Sequence, residues 1–230
     1  MAIFPKHLSL EFSDNINNNV QEDGKLNLIS EIFSIISIFV DNETIILTDV
    51  GDANFAGVTI PVFTPTCYQT SALNFMMGSV IPGAIAAKKI HPGKKVIAIM
   101  GDGAFRMVSQ ELEIAVIQQM PFVLIVINNG SYRTIRLLHE HEAYLLPRET
   151  DLAQVGHAWG VKSKRISSFE KTPQEFLQEF HEVFQHAFES IQHQTIPCMI
   201  ELVVPEKEQS PQLTKLGREL KKKAKPNGIQ

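Results

Sequence analysis

Residues 95–104, KVIAIMGDGA, and residues 122–129, FVLIVINN, decide the fold. Each opens as a short apolar run rich in β-branched residues and stops abruptly at polar ones. Such runs read as strands buried on both faces, the pattern of a parallel sheet. Between them, residues 109–118 carry Leu112, Ala115 and Val116 on one side and read as a helix. A helix joining two parallel strands makes a right-handed crossover, so Asp102 and Asn129 leave their strands at the same carboxyl edge. Open α/β sheets bind ligands along that edge. One carboxylate, one amide oxygen and a backbone carbonyl are hard donors of the kind Mg²⁺ takes, and so few protein ligands leave room for phosphate oxygens and water. Gly101, Gly103 and Ala104 would let backbone N–H groups approach those phosphates. A lone GDG is a common turn. GDG with the paired Asn at this distance, both on strand ends, carries a site in its expected context.

Outward from this pair the chain keeps alternating. Leu26, Ile29, Ile32, Phe33, Ile36 and Phe39 recur at helical spacing and predict a helix over 26–40. Residues 44–49, TIILTD, read as a strand ending in the turn Gly51-Asp52, and residues 71–89 as a helix with an irregular start. Thr172-Pro173-Gln174-Glu175 supplies an N-cap, a first-turn proline and a capping-box glutamate for a helix striped by Phe176, Phe180, Val183, Phe184, Ala187 and Ile191. A last strand is expected at 198–203. The fold class is therefore α/β, a parallel sheet with helices on both faces. Its domain is expected over 26–204, behind an extended or disordered leader at 1–25 that holds Asn15, Asn17, Asn18 and Asn19. A polar tail follows at 205–230, with a solvated helix and the basic run Lys221–Lys223.

Composition bounds the partners. The 230 residues suit one large domain, and 44% apolar with 20% charged residues is ordinary for a globular protein. A net charge of -4 gives no basic excess for nucleic acid. Residues 28–40 are too short and too interrupted by Asn, Ser and Glu to span a bilayer, so no membrane role and a cytoplasmic location are expected. Cys67 and Cys198 stand far apart without a CxxC pair, which excludes an iron–sulfur cluster or Cys-rich zinc site and suggests reduced thiols. In His139-Glu140-His141 the two histidines do not share a helix face, so zinc is not expected there, although a place near a substrate stays open. His157 and Trp159 read as packing residues.

GDG followed by NN at this interval resembles the metal–diphosphate signature of thiamine-diphosphate enzymes. "TDVGDANFAG" (48–57), "MMGSVIPGAIAAKKIHPGKKVIAIMGDGAFRM" (76–107) and "INNGSYRTIR" (127–136) look like successive blocks of the acetolactate synthase and 2-oxoacid decarboxylase group. The likeness covers about residues 26–204. Carried over position by position, it implies Asp102 and Asn129 as Mg²⁺ side-chain ligands, with Ser131 giving a backbone carbonyl. It places Gly103 and Ala104 at the diphosphate and Gly51-Asp52-Ala53 in a second diphosphate-proximal loop. Met77 matches the bulky residue that props thiamine diphosphate into its bent form, and Phe75 offers its carbonyl to the aminopyrimidine. The implied substrate is a 2-oxoacid such as pyruvate, and the implied assembly a homo- or hetero-oligomer.

Four departures bear on the substrate and the pocket. Phe75 stands where the family has Gly or Ala, so its ring either crowds the pyrimidine or points into the sheet–helix core. Asp52-Ala53 replaces the Gln-His of acetolactate synthases and is closer to decarboxylase-like members. "YRTIR" (132–136) resembles the "YGTIR" of synthase-like members, and Ile135 stands where pyruvate decarboxylases have a glutamate. The family also takes an activating glutamate from a separate pyrimidine-binding domain, and Glu11, Glu22 and Glu31 sit in contexts unlike it. The expectation is a component that works with a pyrimidine-binding domain or subunit, or else an inactive cofactor-binding or regulatory module.

Overall fold

A computed structural model of the chain describes residues 26–71 and 75–224. The expected leader at 1–25 lies outside those residues. Helix α1 (Leu28–Ile38) is capped by Asn27, whose side chain accepts from the Ser30 N–H at 2.8 Å. Strand β1 (Thr44–Thr48), helix α2 (Asp52–Gly57), strand β2 (Tyr68–Thr70) and helix α3 (Val80–Ile90) follow. The helix expected over 71–89 thus begins only at Val80, and residues 75–79 before it are turn and coil. After β3 (Lys95–Gly101) the crossover holds two helices rather than one, α4 (Asp102–Val108) and α5 (Glu111–Ile117). Strand β4 (Val123–Asn128) leads into the single turn α6 (Arg133–Arg136). Helix α7 (Leu152–Ala158), strand β5 (Lys162–Ser167), helix α8 (Pro173–Ser190), strand β6 (Cys198–Val203) and helix α9 (Pro211–Ala224) complete the order.

The six strands form one all-parallel sheet in the order β2-β1-β3-β4-β6-β5. Successive side chains point to opposite faces, so each strand feeds two cores. Ile46, Ile97, Ile99 and Ile125 pack with Phe33, Phe180 and Phe184 of α1 and α8. Val96, Ala98, Met100, Leu124 and Val126 pack with Ile81, Phe105 and Leu112 of α3, α4 and α5. Fully burying a side chain of this size stabilises by about 1.5–3 kcal/mol, which explains why unbroken apolar runs announce these strands. The capping box of α8 forms as its sequence indicates: Thr172 accepts from Glu175 N–H at 3.3 Å and its own N–H donates to Glu175 at 2.8 Å. Trp159 packs against the second core, whereas His157 is exposed and packs nothing inward. Cys67 and Cys198 are both free and buried.

The strand order sets β1, β3 and β4 side by side, with Thr48 opposite Ile99 and Gly101 opposite Ile127. Their carboxyl ends therefore open at one level, and the residues that follow each strand share one edge. Past β6 the chain does not run off into solvent. Helix α9 packs back against α2, and its Leu213 is fully buried.

Candidate cofactor site

A cavity of about 280 Å³ opens over the carboxyl ends of β1, β3 and β4. Its walls come from four places: Gly51, Asp52 and Ala53 at the start of α2; Phe75 and Met77 in the loop before α3; Gly101, Asp102, Gly103 and Ala104; and Asn129 with Ser131. Every site residue singled out in the sequence thus lines one space, though they come from loops up to 80 residues apart. The same cavity also takes Val50, Ile127, Tyr132, Arg133, Thr134 and Ile135. Of these, Tyr132, Arg133 and Thr134 were not assigned from sequence, although they lie inside the informative block 127–136. A signal for Tyr132 existed in Gly103: a Cβ there would overlap the Tyr132 ring. His139 and His141 do not line the cavity.

Asp102 begins α4 at the end of β3 and is almost fully buried. Its Oδ2 accepts the Gly130 N–H at 3.0 Å, which ties the GDG turn to the loop after β4. Burial pushes the Asp102 carboxyl up to about 6, while the N–H groups of Gly103 and Gly130 and the Arg106 guanidinium pull the other way. Asn129 is also buried, and its Oδ1 accepts the Ser131 N–H at 3.1 Å. The Ser131 hydroxyl approaches the same oxygen at 3.5 Å, a long contact that a metal ion could replace. Ser131 bridges to Leu145, and Arg148 donates to the Asn129 carbonyl at 2.9 Å, which fixes the turn from outside.

The second wall is built on two carboxylates. Asp49, fully buried at the end of β1, accepts from Val50 N–H at 2.8 Å and from Gly78 N–H at 2.7 Å. It so pins the loop that carries Met77. Asp52 takes the Ser210 N–H at 2.8 Å and a short bond from the Ser210 hydroxyl. Desolvation raises its carboxyl to about 6 against those bonds and the nearby Arg133. Arg133 is itself held by Gln209 at 2.7 Å and lies 3.6 Å from Glu206. The tail expected in solvent thus braces two cavity residues; polar composition gave no hint of it.

The donor set suits Mg²⁺ with a diphosphate. A buried carboxylate lies beside an amide oxygen and a turn carbonyl, and a Cβ on Gly101 would meet no atom within 4 Å, so the cavity reaches bare backbone there. Among the described residues no group of three or more His, Cys, Asp or Glu side chains is placed to hold a metal by itself. Phosphate oxygens and water would complete the shell of a Mg²⁺ held by so few protein ligands. The family model for the thiamine pyrophosphate enzyme C-terminal TPP binding domain matches residues 49–201, more than half of the chain. The chain belongs to that family. It is 28% identical over 152 residues to a probable acetolactate synthase large subunit of Methanococcus aeolicus, covering 61% of this chain and 25% of that protein. Against pyruvate decarboxylase isozyme 3 of Saccharomyces cerevisiae it is 27% identical over 137 residues, covering 57% and 24%. The chain therefore spans about a quarter of the length of either relative. The crystal structure of benzoylformate decarboxylase from Polynucleobacter necessarius shares the fold, with a TM-score of 0.66 at 19% identity over 79% of this chain and 34% of that one. No helix among the described residues is long and apolar enough to cross a membrane.

Proposed function

We propose that this chain anchors thiamine diphosphate through Mg²⁺ held by Asp102, Asn129 and the Ser131 carbonyl. It then serves, with a pyrimidine-binding domain or subunit, as the diphosphate-binding component of an acetolactate synthase-like or 2-oxoacid decarboxylase or carboligase enzyme. The observation that carries this reading is the buried Asp102, joined through Gly130 to the Asn129 turn on the wall of one cavity. Gly51, Asp52, Gly101, Gly103 and Ala104 would face the diphosphate, while Met77 and Phe75 would meet the rest of the cofactor. When bound, that cofactor supplies an electron sink for breaking or forming a carbon–carbon bond next to a 2-oxoacid carbonyl. The chain's own residues bind and orient it. Apolar Ile127, buried, and Ile135, exposed, also line the cavity. A cytoplasmic, oligomeric enzyme acting on pyruvate or a similar acid fits this reading.

A second reading, a cofactor-binding module inactive by itself, is favoured by one feature. No histidine or glutamate lines the cavity among the described residues. The aspartates that line it, Asp52 and Asp102, are already bonded to Ser210 and to Gly130 N–H. Calorimetric titration of thiamine diphosphate with and without Mg²⁺ tests the main proposal. Wild type should bind only with the metal, and Asp102→Ala should lose that binding while staying folded. Asn129→Ala should weaken it less, since a neutral ligand is lost and the carboxylate stays. Undiminished affinity in Asp102→Ala would sink the assignment.

A further inference from the structure

Glu201 lies within β6 with no exposed surface. The other residues of that strand are apolar, and an unpaired buried charge costs several kcal/mol, so this one needs a reason. Its Oε1 accepts the Asn128 side-chain N–H at 2.7 Å, and its Oε2 accepts the Ala153 N–H at 3.0 Å. Arg165 of β5 stands 3.3 Å away and balances the charge. Asn128 is fully buried too, and its Oδ1 accepts the Gly130 N–H at 3.1 Å. That same N–H donates to Asp102 Oδ2 at 3.0 Å. The chain of bonds therefore runs from β6 through Asn128 to the N–H shared with the buried carboxylate of the cofactor site.

A carboxylate can only accept. Facing Glu201, the Asn128 amide must present its nitrogen there and its oxygen to Gly130, so it cannot flip. We propose that Glu201 is a positioning residue for the metal ligands: it fixes Asn128 so that the turn after β4 holds Asn129 and Ser131 in place against Asp102. This rests on the Mg²⁺–diphosphate reading of the site. Support of this kind, one step behind the ligands, commonly shifts metal affinity without touching the ion.

Donor logic supplies the test. Glu201→Gln alone sets a second N–H against either Asn128 or Ala153. Asn128→Asp alone sets two carboxylates face to face. Combined, they restore the bonds from Ala153 through the side-chain pair to Gly130, with the polarity of that pair reversed, while the carboxylate facing Arg165 is lost. The new amide on β6 donates to the new carboxylate on β4 and still accepts from Ala153, and that carboxylate still accepts from Gly130. The full chain is titrated with thiamine diphosphate over a series of Mg²⁺ concentrations, and Gly130 amide exchange is followed without cofactor. Each single variant should need about 10–100-fold more Mg²⁺ and the double variant should recover. Gly130 exchange should quicken in both singles and slow again in the double. Singles that melt earlier but need no extra Mg²⁺, a double variant as weak as the singles, or unchanged Gly130 exchange would each overturn the inference. A wild type that binds the cofactor equally well without Mg²⁺ would instead overturn the metal reading itself, and the inference with it.

Discussion

Phe75 holds a left-handed backbone at φ 47°, a region that costs an L-residue about 1–2 kcal/mol. Its side chain is 66% exposed and lines the cavity, so the alternative of a core phenylalanine is rejected. Phe75→Gly should therefore change stability by less than about 1 kcal/mol, far from the roughly 3–5 kcal/mol of a core truncation. Cofactor affinity should hold or tighten as the ring leaves the cavity. Thermal melts and titrations on this variant read both, and a strongly lowered melting temperature would refute the placement. Asp52 allows a sharper test. Its carboxyl is raised to about 6 from the ordinary 3.8, so the fold favours the protonated form. Stability from this group is present below the unfolded value and is lost as pH rises through about 6. Asparagine mimics the protonated acid and does not titrate. Wild type should therefore compare best with Asp52→Asn near pH 4, and that margin should shrink by about 1–3 kcal/mol toward pH 7. Urea unfolding at both pH values measures it; a margin that grows with pH would contradict the upward shift.

Helix α9 depends on one hydroxyl in two roles. Ser210 Oγ accepts the Leu213 N–H at 3.1 Å, capping the helix, and donates to Asp52. Ser210→Ala removes both bonds from a buried position and should cost about 1–3 kcal/mol, while Ser210→Thr keeps the hydroxyl and should cost less. Urea midpoints of the two variants decide it, and equal midpoints for alanine and wild type would refute the coupling. This element also shows where sequence reading stops. Residues 211–224 do show a helix, but their few apolar positions carry no sign of the partner they bury against. Strand β5, KSKRIS, escaped for a related reason: it is an edge strand whose Lys162 and Lys164 point outward, and charge on an edge masks the β pattern. The central strands and α8 were legible because burial on both faces, or one face plus a capping box, leaves local marks. The split of the crossover into α4 and α5 left none that periodicity could separate.

At the scale of the molecule, parallel topology explains why so much of the site was readable. Ligand-facing residues follow strand ends, and strand ends are the clearest boundaries in this sequence; Asp102 and Asn129 needed only the crossover rule to be brought together. The residues that brace the cavity from α9 and β6 were not readable, since Ser210 and Glu201 act through contacts 158 and 73 residues away. The cavity itself offers Asp52, Asp102 and Arg133 as its charged side chains, and two of these are already engaged by Ser210 and Gln209. Val58, Val62, Phe63, Phe75 and Met76, on the loops between α2 and α3, remain exposed as apolar groups, as a surface awaiting cover would be. Both features accord with the proposal that a second domain completes the chemistry. The chain alone, saturated with thiamine diphosphate and Mg²⁺, should therefore release CO₂ from pyruvate far more slowly than the order of 1 per second usual for enzymes. Supplying a separately made pyrimidine-binding domain from a relative should raise the rate only if it seats on this face, so Phe63→Ser with Met76→Ser should abolish the gain while leaving cofactor titration of the chain unchanged. Coupled measurement of pyruvate loss reads all three states, and an enzyme-like rate from the chain alone would show that the cavity already holds every group the reaction needs.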